Sequence, residues 1–148
     1  MALLPGSRKG EIQRLLPPMA ELVRRWQAER PEVQWVLPVA PTLATEFVRG
    51  HLLGAPVVLV EGRTYAARAH AAAALVASGT ATLETALLGT PFAIVYRLNA
   101  LTYQIARRIV KVPHFGLANV VARREVAPEL LQDEVNPCLL YTSPSPRD

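Results

Sequence analysis

The chain has 148 residues, the length of one domain, with 51% apolar and 19% charged residues, a balance that excludes disorder and favours a single packed core. Its formal charge is +4, with arginine far outnumbering lysine, which suits an anionic ligand such as a nucleotide diphosphate, or an anionic membrane surface. A single cysteine, Cys138, and three scattered histidines, His51, His70 and His114, exclude an internal disulfide framework and zinc-type spacing, and no dense basic run or aromatic-basic alternation speaks for nucleic acid.

Taken in chain order, residues 2–4 read as the end of a strand and Pro5-Gly6-Ser7-Arg8 as a turn. Ile12, Leu15, Leu16, Met19, Leu22, Val23 and Trp26 then recur at helical spacing. Pro17 and Pro18 are expected to kink or split that helix, because proline lacks the ladder N–H and clashes with the preceding turn. Residues 34–39 form the next strand and 43–53 a helix. Residues 57–60 form a strand whose continuous apolar content predicts burial on both faces. A short helix over 65–71, a strand over 75–77 and a helix over 82–88 closed by Gly89 follow. A buried strand over 91–95 and a helix over 101–110 complete the pattern of about five strands and at least five helices. Such α/β alternation predicts a parallel sheet covered by helices. The longest apolar stretch, residues 71–77, is well short of the roughly 20 residues needed to cross a bilayer, and no signal peptide is visible. The expected location is cytoplasmic, with peripheral membrane contact open.

Residues 1–135 are expected to form the folded unit. From residue 136 the periodicity stops, and 136–148 is expected to be a non-native or disordered tail; an ordinary flexible terminus has the same composition.

Two turns at strand ends have the chemistry of anion sites. In Gly6-Ser7-Arg8, glycine permits close backbone approach, Ser7 can cap the next helix, the helix start offers N–H groups to a phosphate, and Arg8 adds a charge-assisted contact. A plain capped turn with a surface arginine fits the same residues. In Ser78-Gly79-Thr80-Ala81-Thr82, small residues admit a ligand to the backbone and the hydroxyls of Ser78, Thr80 and Thr82 add donors. Glu84, one turn later, is placed to accept both hydroxyls of a ribose, or simply to complement the helix dipole. Two such turns in one α/β chain favour a ligand crevice beyond the carboxyl ends of the strands.

A third region holds Tyr96 and Arg97, then a helix with Arg107, Arg108 and Lys111 along one face, then His114, Asn119 and Glu125. The basic face suits anionic lipid headgroups or plain solvent, and His114 has no visible carboxylate partner. There is no GxSxG elbow, Walker loop, HExxH or acidic metal pair, so no nucleophile or metal announces itself.

LLPGSR, EIQRLLPPM and the long block ASGTATLETALLGTPFAIVYRLNALTYQIARRIVKVPHFGLANVVARREVAPELLQDE together resemble the C-terminal half of the lipid-A-disaccharide synthases, over nearly everything from Leu3 to Glu134. The PGSR and SGT turns alone also suit other two-domain enzymes of the GT-B type, such as a MurG-like transferase or an epimerase, and a non-enzymatic nucleotide-binding module remains a third reading. The resemblance implies a truncated Rossmann-like parallel sheet with helices on both faces, the UDP-sugar domain of a GT-B hexosyltransferase. It implies an inverting transfer of 2,3-diacylglucosamine from UDP to 2,3-diacylglucosamine 1-phosphate at the cytoplasmic face of the inner membrane of Gram-negative bacteria. No cofactor and no tightly bound metal belong to that picture. Carried over by position, Gly6, Ser7 and Arg8 face the nucleotide, Ser78, Gly79 and Thr80 the diphosphate, and Glu84 the ribose, with Tyr96, Arg97, Asn119 and Glu125 as further candidates. The acceptor domain with its general base is not in this sequence, so the lipid acceptor is expected to bind elsewhere and the isolated chain to be inactive.

Overall fold

The computed structural model describes residues 1–97, 101, 104, 105, 108 and 116–131. The expected helix over 101–110 and its basic face lie mostly outside the described residues, as do His114 and the tail 136–148. The elements are β1 (Ala2–Leu4), α1 (Lys9–Glu29), β2 (Trp35–Val39), α2 (Thr45–Gly50), β3 (Val57–Glu61), α3 (Thr64–His70), β4 (Ala74–Ala77), α4 (Thr80–Leu87), β5 (Phe92–Tyr96), α5 (Leu117–Ala122) and β6 (Glu129–Leu131). All strand pairs are parallel, and the sheet order is β3-β2-β1-β4-β5-β6. This is the doubly wound, Rossmann-like order, in which the chain winds outward one way from β1 and the other way from β4.

Strand alternation divides the core between the two faces of the sheet. Leu3, Leu37, Leu75, Ala77, Ala93 and Val95 pack with α1 and α2, whereas Ala2, Leu4, Ala74, Val76, Phe92 and Ile94 pack on the opposite side with Ala81, Ala86 and Ala118. Helix α1 buries Ile12, Leu15, Leu16, Met19, Ala20, Leu22 and Val23 as one stripe. Despite Pro17 and Pro18 it runs unbroken for 21 residues. The two carbonyls that lose an N–H partner are those of Gln13 and Arg14, both exposed residues that water can serve, while the buried stripe on the other side holds the helix together.

Two further expectations are corrected. Strand β3 is the edge of the sheet and is not buried on both faces; Val58 is 58% exposed. A continuous apolar run does not distinguish a central strand from an edge strand. Helix α2 stops at Gly50, well before residue 53, because the chain turns through positive φ at Leu53 and Gly54. Strand β6 and helix α5 have no counterpart in the sequence reading, since Glu129-Leu130-Leu131 carries no β-branched run to mark it.

Pro38 lies within β2, a strand flanked on both sides. Val36 N–H donates to the Met1 carbonyl, so the next N–H on that side belongs to position 38, where proline has none. Pairing of β1 with β2 accordingly rests on the single register Ala2↔Val36.

Leu16 is fully buried in this core. Leu16→Ala is expected to lower unfolding free energy by about 2–5 kcal/mol, read as a lower denaturant midpoint at unchanged slope.

Candidate functional site

The C-terminal ends of β1 and β4 lie side by side, paired Ala2↔Ala74 through Leu4↔Val76, and the turn that follows each leads to a helix on a different face of the sheet. Between the turns lies a cavity of about 430 Å³, within the size range of small-molecule sites. Residues 4–8 form one wall and 77–81 the other, with Pro38 and Ala40 from the top of β2 and Arg68 and Glu84 from α3 and α4. Gly6, Ser7, Arg8, Ser78, Gly79, Thr80 and Glu84 are therefore brought together around one space. Tyr96, at the end of β5, and Arg97 border an adjoining cavity of about 520 Å³ that shares Arg8, Glu11, Ala77 and Ser78 with the first.

The two turns are finished differently. In the first, Arg8 occupies the N-cap position, and Ser7 does not cap the helix. Glu11 does so instead: its Oε2 accepts the N–H of Ser7 at 2.9 Å and of Arg8 at 3.1 Å, while Oε1 lies 3.6 Å from the Arg8 guanidinium. Gly6 has φ +106°, and a Cβ there would come within 2.2 Å of Glu11 Oε2, so both the backbone and the packed carboxylate require glycine. Two backbone donors of this turn, the N–H groups of Ser7 and Arg8, thus already serve a carboxylate. Thr42 Oγ1 donates to the Ser7 carbonyl at 2.9 Å and ties the loop after β2 to this turn.

In the second turn Gly79, at φ +149°, is the N-cap of α4 and has no side chain with which to cap the helix. The first N–H groups of any helix lack intrahelical partners, and those of Thr80 and Ala81 begin at the cavity wall. Thr82 is not a ligand donor. It is fully buried, its hydroxyl donates to the Gly79 carbonyl at 2.7 Å and accepts the Ala118 N–H at 3.3 Å, locking α4 to α5. Glu84 reaches the cavity as half of an ion pair with Arg68.

Asn119 and Glu125 border neither of these cavities. Asn119 is fully buried, and its Nδ2 donates to the Ala127 carbonyl at 2.8 Å and to Glu129 Oε1 at 2.7 Å. Its Oδ1 accepts the N–H of Val126 at 2.8 Å and of Ala127 at 3.1 Å. All four of its hydrogen-bonding positions are used within the fold, binding α5 to the start of β6. Glu125 is exposed in the intervening turn.

Glu11, Thr64 and Arg68 are cavity residues that sequence reasoning missed. Glu11 had a local signal, an acidic residue three positions after the N-cap. Arg68 had none, since topology alone brings it beside Glu84. Among the described residues no group of three His, Cys, Asp or Glu is placed to hold a metal ion, and no helix is long and apolar enough to cross a membrane.

Comparison with known proteins gives consistent results. The family model for lipid-A-disaccharide synthetase matches residues 1–143. The chain is 50% identical over 140 residues to the lipid-A-disaccharide synthase of Syntrophus aciditrophicus, covering 93% of this chain and 37% of that protein. It is 48% identical over 139 residues to that of Myxococcus xanthus (93% and 36%) and 42% identical over 141 residues to that of Nitrosococcus oceani (93% and 36%). The chain therefore spans a little over a third of the length of these relatives.

The Asn119 bonds generate a prediction. Asn119→Ala strands two backbone N–H groups and is expected to destabilise the fold by about 2–4 kcal/mol in denaturant titration, whereas Glu125→Ala changes stability by less than about 0.5 kcal/mol.

Proposed function

From the premise that the chain belongs to the lipid-A-disaccharide synthetase family, we propose that it is the C-terminal, nucleotide-sugar-binding half of a lipid A glycosyltransferase. In this reading the whole enzyme transfers 2,3-diacylglucosamine from UDP to 2,3-diacylglucosamine 1-phosphate, with inversion and release of UDP. The lipid acceptor and the general base belong to the other half, and the enzyme works at the cytoplasmic face of the inner membrane with peripheral membrane contact.

One observation carries the donor-site assignment: two ligand-type turns converge on a single cavity at the point where the strand order reverses. Open α/β sheets bind nucleotides at that point. The different finish of the turns assigns their roles. The start of α4, with Gly79, Thr80 and Ala81, takes the diphosphate, because these residues line the cavity and a helix start offers N–H groups and the positive end of its dipole to an anion. The first turn, with the N–H groups of Ser7 and Arg8 engaged by Glu11, contributes the Arg8 guanidinium, an 84% exposed side chain free to swing onto a phosphate. Glu84 accepts the ribose hydroxyls, and Tyr96 and Arg97 extend the site toward the sugar from the adjoining cavity. As the glycosidic bond to UDP breaks, negative charge grows on the departing phosphate. A helix start and an arginine already aimed there favour the transition state over the ground state.

Calorimetric titration of UDP into the folded chain checks this assignment. UDP is expected to bind, and Arg8→Ala to weaken it by about tenfold or more, the worth of one charge-assisted hydrogen bond. A folded chain that takes up no UDP would refute the donor-site reading. Transfer is a separate matter, since holding donor and acceptor together is worth about 7–11 kcal/mol of a two-substrate barrier. The chain alone, given UDP-2,3-diacylglucosamine and acceptor lipid, is expected to form no detectable disaccharide in a radiolabel assay.

A further inference from the structure

Arg68 is the one strong cation of the cavity wall that comes from α3, and its surroundings are unusual. Its side chain is only 14% exposed, its guanidinium donates through Nη1 to Glu84 Oε2, and its Nε is buried without a hydrogen-bond partner. Its backbone is tied as well: Thr90 Oγ1, in the turn between α4 and β5, donates to the Arg68 carbonyl at 2.8 Å. The cation is thus held by its stem and backbone, with Glu84 as the partner of its head. A pair of this kind is weak support for stability, since desolvating a guanidinium offsets the attraction and the unmade Nε bond is a further loss. An apolar side chain could fill the same space, so the pair needs a reason beyond folding.

The reason lies in what Glu84 is asked to do. A carboxylate that reads ribose hydroxyls must share a small cavity with a diphosphate, and two anions at that range repel each other. We propose that Arg68 is a positioning residue of the donor site, cancelling the charge of Glu84 and fixing its carboxylate so that it accepts ribose hydroxyls beside a diphosphate; this rests on the ribose role assigned to Glu84 above. Oε2 takes the guanidinium, and a carboxylate with about four lone-pair positions retains capacity for a hydroxyl. Arg68 acts through Glu84 and touches neither the sugar nor the reacting atoms.

The readout is discrimination between UDP and 2′-deoxy-UDP, which a merely structural clip between α3 and α4 would not move. Both nucleotides are titrated calorimetrically into the 148-residue chain and its variants, with folding verified by circular dichroism. The parent chain is expected to prefer UDP by at least about tenfold, and Glu84→Ala to abolish the preference. Arg68→Met, which keeps the apolar stem, is expected to reduce the preference to less than about twofold, the Arg68→Met/Glu84→Ala double variant to go no lower, and Arg68→Lys to restore most of it. Arg68→Gln tests the same point with a different neutral side chain should the methionine variant not fold. If the neutral variants keep the full preference while Glu84→Ala loses it, the role of Arg68 is refuted and that of Glu84 stands. If the parent chain shows no preference, or Glu84→Ala leaves it intact, the ribose reading itself falls and the positioning role with it.

Discussion

The cavity depends on the divergence of the chain above β1 and β4. These two strands are paired along their length, yet the turn after β1 leads to α1 on one face of the sheet and the turn after β4 leads to α4 on the other. Two helices starting on opposite faces cannot close over the strand ends between them, so a crevice remains whatever residues line it. The local sequence then shapes that crevice. Pro38 ends the β1–β2 ladder, while glycines at positive φ in both turns keep side-chain bulk away from the walls. Ala40, Ala77 and Ala81 do the same with minimal side chains.

Charge is arranged in the crevice with equal economy. Each of its two carboxylates has an arginine neighbour, Glu11 with Arg8 and Glu84 with Arg68, so the four ionised groups sum to zero. A net-neutral wall neither repels an anion nor holds one tightly at rest. The excess positive field comes from the start of α4, a feature of backbone rather than side chain. The two pairs also differ in rigidity. Arg8 is 84% exposed and contacts Glu11 at 3.6 Å, an interaction worth little in water, whereas Arg68 is largely enclosed. One arginine is free to move, and the other is largely enclosed.

How much of this was legible in the sequence depends on the range of each interaction. The strands read at residues 2–4, 34–39, 75–77 and 91–95 from short apolar runs lie within a residue of those observed, and the turns after β1 and β4 are readable from their glycines and hydroxyls. These signals are local. Pro17 and Pro18 misled because the local penalty was outweighed by a buried stripe along the whole of α1. Thr82 reads as a donor from its place after a strand end and Asn119 as a candidate from the resemblance alone; the packing of α4 against α5 and β6, which no local pattern reports, commits both side chains to hydrogen bonds within the fold. Arg68 was invisible since its partner is sixteen residues away on another helix. Local chemistry names the turns; the topology decides which side chains meet there.

A donor half that binds without transferring is physically coherent. The features proposed to recognise a nucleotide, the start of α4, Arg8 and the Arg68–Glu84 pair, are assembled from elements of this chain, and their geometry is set by its own sheet. Binding needs only those groups and the nucleotide. Transfer needs in addition an acceptor hydroxyl held within reach of the anomeric carbon and a base to take its proton, and orientation of that kind arises only between two partners. Division of labour along the line between the halves follows from this. Under the proposed function, stabilisation of growing charge on the phosphate would reside in this chain, and the contribution of proximity in neither half alone.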